Sequence, residues 1–364
     1  MPDQGTGMPA SGPQEGLISR SQWKWLGVSV LFSTVVLILV LYFTVSEDTF
    51  LYLKQLNPVF LVAAVGLHLL ALGFWAMRIK KMAGSLGYRV GFFYCLNMVM
   101  ANLLVAAITP SQAGGEPVRI HQLYRKDVPL GDATAIVLVG RVIDAVVLGV
   151  LGAFALAALG AMPRSQSLPA GLMAFIYISW LMMSGAVILF VITVRSPAFM
   201  KRLLQRISGW FSRTWERERV QRMLATIDRE VDNFHDSSYR FVSHAKMGLV
   251  WGTFYSLLFW FTEFIVVSFI LMGLGAPPVF LTSLVAQIII AILMMIPLTP
   301  GASGIAEISA TSIYSLFVDP AIVGVMVLVW RLIFFYMNII LGILATIPIL
   351  QREFTLRSLR DPKV

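Results

Sequence analysis

The sequence predicts an all-helical integral membrane protein, on three observations. Hydrophobic residues supply 58% of its 364 positions, where an average soluble domain has roughly 45–50%. Charged residues supply 13% against about 25%, too few to clothe a soluble fold of this size. Apolar stretches of bilayer-spanning length recur at 26–45, 58–77, 91–108, 170–194, 247–272 and 279–298, and two longer ones, 132–160 and 320–348, carry charges inside. A hydrocarbon core ~30 Å thick takes about 20 residues of helix, and only a helix or a closed barrel satisfies its own backbone there. The composition excludes an ordinary cytosolic enzyme, a disordered protein and a nucleic-acid-binding domain. The excess of 28 Lys+Arg over 19 Asp+Glu instead marks cytoplasmic loops against anionic inner-leaflet lipids. A single cysteine, Cys95, forbids an intrachain disulfide.

Residues 1–20 are polar, with Gly, Pro, Ser and Gln, and read as a disordered cytoplasmic tail before a retained first span, with no cleavable signal. The transmembrane domain is expected over 21–350, followed by a cytoplasmic tail at 351–364. Basic residues cluster at Arg20 and Lys24, at Arg78, Lys80, Lys81 and Arg89, through 195–246, and from Arg352 to Lys363. Positive residues favour the inside, so both termini are expected in the cytoplasm of a multi-pass cell-membrane protein, with Glu47 and Asp48 on an outer loop. Between the inside positions Arg89 and Arg195 lie three apolar spans, and between Lys246 and Arg352 three more. Odd counts cannot return the chain to the same side. Two leftover polar segments, 110–128 and 300–317, offer the missing crossings. If both cross, whole or as broken half-helices paired with a neighbour, ten passes result; if both are re-entrant, the positive-inside assignment fails twice. The expectation is therefore eight apolar spans plus two polar segments, broken or re-entrant.

Those two segments resemble each other. Thr109-Pro110-Ser111-Gln112-Ala113-Gly114-Gly115-Glu116 aligns with Thr299-Pro300-Gly301-Ala302-Ser303-Gly304-Ile305-Ala306-Glu307 at an offset of 190 residues, the glutamates missing by one. The same offset pairs Tyr124 with Tyr314 and Arg141 with Arg331. Two repeats follow, about 58–160 and about 247–350, inverted if the topology holds, since 58–77 then runs inward and 247–272 outward. Inverted halves with matching Gly/Pro-interrupted segments are a signature of transporters. An old duplication kept only for packing is the competing reading.

The run from Thr109-Pro110 through Gly114-Gly115-Glu116-Pro117-Val118-Arg119, then Arg141-Val142-Ile143-Asp144, resembles the transmembrane domain of lysylphosphatidylglycerol synthases, as does the Pro297–Glu307 run before Arg331. The resemblance covers roughly residues 20–350. It implies a flippase-like domain moving polar lipids between leaflets. Ending at Val364, the chain is expected to be a stand-alone member without the aminoacyltransferase domain. Ser111-Gln112-Ala113 departs from the glycine that usually follows the proline in the family.

Arg141 and Arg331 lie about ten residues inside their spans, where an arginine costs ~2.5–3.5 kcal/mol on insertion scales and needs a partner. Asp144, one turn on, offers Arg141 a local ion pair; a substrate phosphate is the alternative. Arg331 has no acid three or four residues away, leaving Glu307, Glu116, Glu263 or a lipid phosphate. A guanidinium matches two phosphodiester oxygens. Glu116 and Glu307 either cap the helices that follow the turns or neutralise the arginines when no lipid is bound. The N–H groups of Gly114, Gly115 and Gly304 are candidate phosphate donors. Arg119, with His121, Arg125 and Lys126, either lines an aqueous path or faces solvent. Asp144, Glu263, Thr109, Pro110, Thr299 and Pro300 are expected to support the site. Within 195–246, apolar stripes such as Met200, Leu203, Leu204 and Ile207, and Val220, Met223, Leu224 and Ile227, carry Arg-rich faces; these helices lie on the inner leaflet or pack as a hairpin.

The four histidines form no metal-spaced pair, and neither a phosphate-binding Gly-x-x-x-x-Gly-Lys loop nor a Gly-x-Ser-x-Gly elbow occurs. No cofactor or metal is expected. The reading is a non-enzymatic flippase or transporter for a phospholipid or polyprenyl-phosphate-type lipid. Its rivals are an intramembrane enzyme acting on lipids and a regulatory membrane partner. The lipid, the direction and the oligomeric state are not encoded legibly.

Overall fold

A computed structural model of the chain describes residues 47–54, 56–109, 114–161, 169–196, 245–295 and 301–346, with individual residues between 30 and 42 and at 239, 241, 243 and 299. The tails 1–20 and 351–364, the stripes over 200–234, Pro110 and Pro300 lie outside the described residues. All regular structure among the described residues is helical.

A short helix α1 (Glu47–Lys54) precedes α2 (Pro58–Ser85), whose start is fixed by Asn57 accepting from the Val59 N–H at 3.0 Å and by Pro58 in the first turn. α3 (Phe92–Ile108) and the ten-residue α4 (Gly115–Tyr124) follow, then the long α5 (Leu130–Ala161) and α6 (Ala170–Arg195). The second half comprises α7 (Lys246–Gly273), α8 (Phe280–Met294), the ten-residue α9 (Ile305–Tyr314) and α10 (Pro320–Arg331). A π-helical turn over Leu332–Tyr336 carries α10 on to Thr346. Among the described residues, five helices are long and apolar enough to cross a membrane: Pro58–Ser85, Leu130–Ala161, Ala170–Ile192, Lys246–Gly273 and Pro320–Thr346. Their outer faces keep large apolar side chains such as Phe154, Leu181 and Ile188 exposed, a surface that lipid rather than water covers.

Element boundaries repeat along the chain. Gly115 and Ile305 open α4 and α9, and Tyr124 and Tyr314 close them, 190 residues apart at both ends. α2 and α7 are each 28 residues long, and each is stopped by a Leu-Gly pair, Leu86-Gly87 and Leu274-Gly275, whose glycines have φ of 91° and 76°. The contacts repeat as well: α2 meets α3 and α5 as α7 meets α8 and α10, and α4 joins α3 to α5 as α9 joins α8 to α10.

Among the described elements α2 and α7 are the most extensively packed pair, and they run antiparallel. Asn57 N–H donates to the Gly273 carbonyl at 2.8 Å at one end, and Ser85 lies against Gly248 at the other. Gly248 permits the approach of α2, since a Cβ there would fall 2.2 Å from Ser85 Oγ, and Gly252 admits α5, whose Ile143 Cδ1 would lie 2.8 Å from an added Cβ.

The polar segments are too short to cross alone. Ten residues of helix rise ~15 Å, half the hydrocarbon thickness, and α4 and α9 each fold back on the helix before them. The helix starting at Pro58 also continues past the predicted 77 to Ser85, so Arg78 is not a loop charge: it is 2% exposed, inside the helix packing.

Candidate functional site

The two polar turns meet. Gly301 N–H donates to the Thr109 carbonyl at 3.3 Å, joining the bend between α3 and α4 to the bend between α8 and α9. Where a helix begins away from water, its first N–H groups need acceptors from the protein. Thr109 Oγ1 takes the Gly114 N–H at 3.0 Å, and Glu307 Oε2 takes the Gly304 N–H at 2.7 Å. These two N–H groups, expected as phosphate donors, are thus already occupied. The glycines serve close approach instead. A Cβ on Gly114 would meet Thr109 Cγ2 at 2.3 Å and one on Gly115 would meet Asn102 Oδ1 at 2.1 Å, while Gly304 has a φ of 83°.

Arg331 is enclosed. Its Nε lies 2.9 Å from Glu307 Oε1, and its terminal nitrogen donates to Ser33 Oγ at 3.1 Å and Ser303 Oγ at 3.4 Å. Ser33 in turn donates to Glu307 Oε1 at 2.7 Å, and the Phe335 ring lies 4.2 Å from the guanidinium carbon. Glu307 therefore both caps α9 and neutralises Arg331, uniting two roles that were alternatives from sequence.

Arg141 is open by comparison. Its Nε pairs with Glu116 Oε1, and its side chain remains 30% exposed. Arg119 donates to the same carboxylate oxygen at 3.2 Å and packs over Trp75 at 5.3 Å. Neither solvent nor an aqueous path receives Arg119, which is 1% exposed, whereas His121 and Arg125 on the same segment are exposed. Glu116 Oε2 and Arg119 Nε are buried without hydrogen-bond partners among the described residues.

The local pair between Arg141 and Asp144 does not form. Asp144 is claimed by Arg78 at 2.5 Å, Ser256 Oγ at 3.0 Å and Trp260 Nε1 at 3.1 Å. A pair along one helix is worth only ~0.2–0.5 kcal/mol. A buried carboxylate needs several donors, and α2 and α7 supply them.

Both arginines line one cavity of about 560 Å³. Glu116, Asp144, His68 and Glu263 also face it, and Met182, Phe190, Phe259 and Met294 form part of an otherwise apolar wall. His68, Gln287, Asn338 and Ser33 were not singled out from sequence, and Arg78 was read only as a loop charge. For the first four the available signal was a polar residue inside an apolar stretch, since intramembrane polar groups face a protein interior or cavity. Thr299 contributes a buried hydroxyl without a hydrogen-bond partner among the described residues.

Long apolar helices with lipid-suited faces around an internal charged cavity define a multi-pass, all-helical membrane protein. The chain belongs to the family described as the lysylphosphatidylglycerol synthase TM region, which matches residues 25–342. A UPF0104 membrane protein of Archaeoglobus fulgidus is 33% identical over 329 residues, 86% of this chain and 94% of the relative. Others from Methanothermobacter thermautotrophicus and Methanocaldococcus jannaschii are 26% and 21% identical, covering 81% and 90% of this chain and 87% and 97% of theirs.

Proposed function

We propose that this protein moves a phosphate-bearing lipid between the leaflets of the cell membrane, carrying the headgroup through the cavity between two inverted repeats. The observation that carries the reading is that Arg141 and Arg331, brought from matching positions of the two halves, face one largely apolar cavity. Around Glu116 and Asp144 the cluster holds three guanidinium groups, Arg78, Arg119 and Arg141, against two carboxylates. Its excess cation suits an anion. A phosphodiester competing with Glu116 for Arg141 accepts two parallel hydrogen bonds from a planar guanidinium, while the acyl chains lie along the apolar wall. The headgroup in question is a phospholipid or a polyprenyl phosphate.

The proposed topology has six crossings: the first span, α2, α5, α6, α7 and α10. The α3–α4 and α8–α9 units are re-entrant hairpins that meet at their turns. Counting each hairpin as no crossing restores the parity that the span count lacked and keeps both termini cytoplasmic. It also makes α2 run inward and α7 outward, in keeping with their antiparallel packing and with inversion of the halves.

The test is lipid movement by purified protein in phosphatidylcholine vesicles carrying fluorescent phosphatidylglycerol, followed by dithionite quenching. Acceleration over protein-free vesicles is expected, with at least a tenfold loss in Arg141→Ala and partial recovery in Arg141→Lys, which keeps the charge and loses the fork. Equal rates for folded Arg141→Ala and the unaltered protein would sink the reading.

A further inference from the structure

One buried ionisable pair in the cavity takes no part in holding phosphate. His68 of α2 and Glu263 of α7 meet where the two halves join: His68 Nδ1 lies 3.0 Å from Glu263 Oε1 and 3.1 Å from Oε2. On the other side of the ring, Nε2 lies 2.9 Å from Asn338 Oδ1, two turns beyond Arg331 and across the π-helical turn. The Asn338 amide is oriented by its nitrogen, which donates to the Phe334 carbonyl at 2.7 Å, so the oxygen faces the ring. Both imidazole nitrogens therefore face acceptors. A neutral imidazole has one N–H and one lone pair and would press that lone pair against an oxygen. With one more proton, on the ring or shared with the carboxylate, both contacts become hydrogen bonds. His68, Glu263 and Asn338 are 2%, 5% and 8% exposed, and all three line the cavity.

The charges around the pair come from five elements. α2 adds Arg78, which Asp144 of α5 neutralises; α10 adds Arg331, which Glu307 of α9 neutralises, and the Tyr336 hydroxyl, which is bonded to Thr34. α4 and α5 supply Arg119 and Arg141 against Glu116 alone, leaving one positive charge. α3, α6 and α8 contribute apolar or neutral polar side chains to the cavity, including Leu103, Ser179 and Gln287. With Glu263 ionised and His68 neutral, its negative charge balances that excess and the cavity is neutral without cargo. With the pair carrying its extra proton, one positive charge is left, and one anionic headgroup balances it.

We propose that His68 and Glu263 form a proton-coupling site: the pair takes up one proton from water when an anionic lipid headgroup enters the cavity and releases it to the water on the far side with the lipid. The inference rests on the transport reading and adds its energy source. Binding of anion and proton each favour the other by the same factor, and the loaded carrier is electrically neutral.

Vesicles with fluorescent phosphatidylglycerol test this by imposing a pH difference or, separately, a potassium-valinomycin potential. One proton per lipid sets a leaflet ratio of the labelled lipid of about tenfold per pH unit, with no response to voltage. Glu263→Gln is expected to return that ratio to about one, whatever its basal rate. Encapsulated pyranine in the unaltered protein gives a second reading that needs no variant: acidification should accompany inward lipid movement. Movement that follows voltage, movement that is indifferent to both gradients, or a Glu263→Gln ratio like the unaltered one overturns the coupling while leaving transport standing. No movement of labelled lipid under any gradient overturns the transport reading and the coupling with it.

Discussion

Arg141 and Arg331 occupy matching positions and do different work. Arg331 is 2% exposed and held by Glu307, Ser33 and Ser303. Removing one partner of a buried pair leaves the other charge uncompensated, at a cost of about 3–5 kcal/mol. Arg331→Ala is therefore expected to lower the midpoint of thermal unfolding in detergent markedly, and Arg331→Ala with Glu307→Gln to recover part of the loss. Arg141→Ala should unfold near the unaltered protein, because its side chain is already 30% exposed, while losing lipid movement. Equal unfolding midpoints for the two alanine variants would remove the distinction. From sequence, Asp144 offered Arg141 a structural partner and nothing nearby served Arg331. Spacing along one helix is visible in a sequence. That Arg78 of α2 claims Asp144 depends on how three helices are rotated about their axes, which no local pattern records.

At the scale of elements, proline, glycine and arginine fall at a fixed offset in the sequence, and the boundaries of α4 and α9 carry the same offset at both ends. The meeting of the two turns was not legible there. α3 is 17 residues long and reads by hydropathy as a crossing, and no apolar count records that the Thr109 carbonyl at its end accepts from Gly301 in the other half. The π-helical turn after Arg331 likewise has no sequence mark of its own. Close packing makes the hairpin vulnerable at Gly342, where α10 passes α3: a Cβ would fall 2.8 Å from the Met100 carbonyl oxygen and 3.0 Å from the Leu104 nitrogen. Backbone cannot swing aside as a side chain can. Gly342→Ala is expected to destabilise by about 1–3 kcal/mol, read as a lower unfolding midpoint. Gly185, with nothing within 4 Å of its added Cβ, provides the control, and Gly185→Ala should leave the midpoint unchanged or slightly raised.

For the whole molecule, the orientation of the halves decides whether one cavity can open alternately to the two sides. The composition made a membrane protein legible, and the basic clusters pointed to a sidedness. They did so with Arg78 counted among the loop charges although it is buried. Arg125 and Ser315 test the arrangement directly. They sit just after α4 and α9, are both exposed, and stand 190 residues apart, at equivalent places in the two halves. Two hairpins dipping from opposite surfaces must return their ends to opposite surfaces. In a Cys95→Ala background, Arg125→Cys should react with a membrane-impermeant maleimide only after the cytoplasmic side is exposed, and Ser315→Cys in intact cells. Thr109→Cys, at the meeting of the turns, should be slow from both sides, because a re-entrant bend lies at neither surface. Rapid labelling of Thr109→Cys from outside would instead mean that α3 and α4 cross separately. Labelling of Arg125→Cys and Ser315→Cys from one side would mean that the halves are parallel, and a rocking exchange between leaflets would lose its geometric basis.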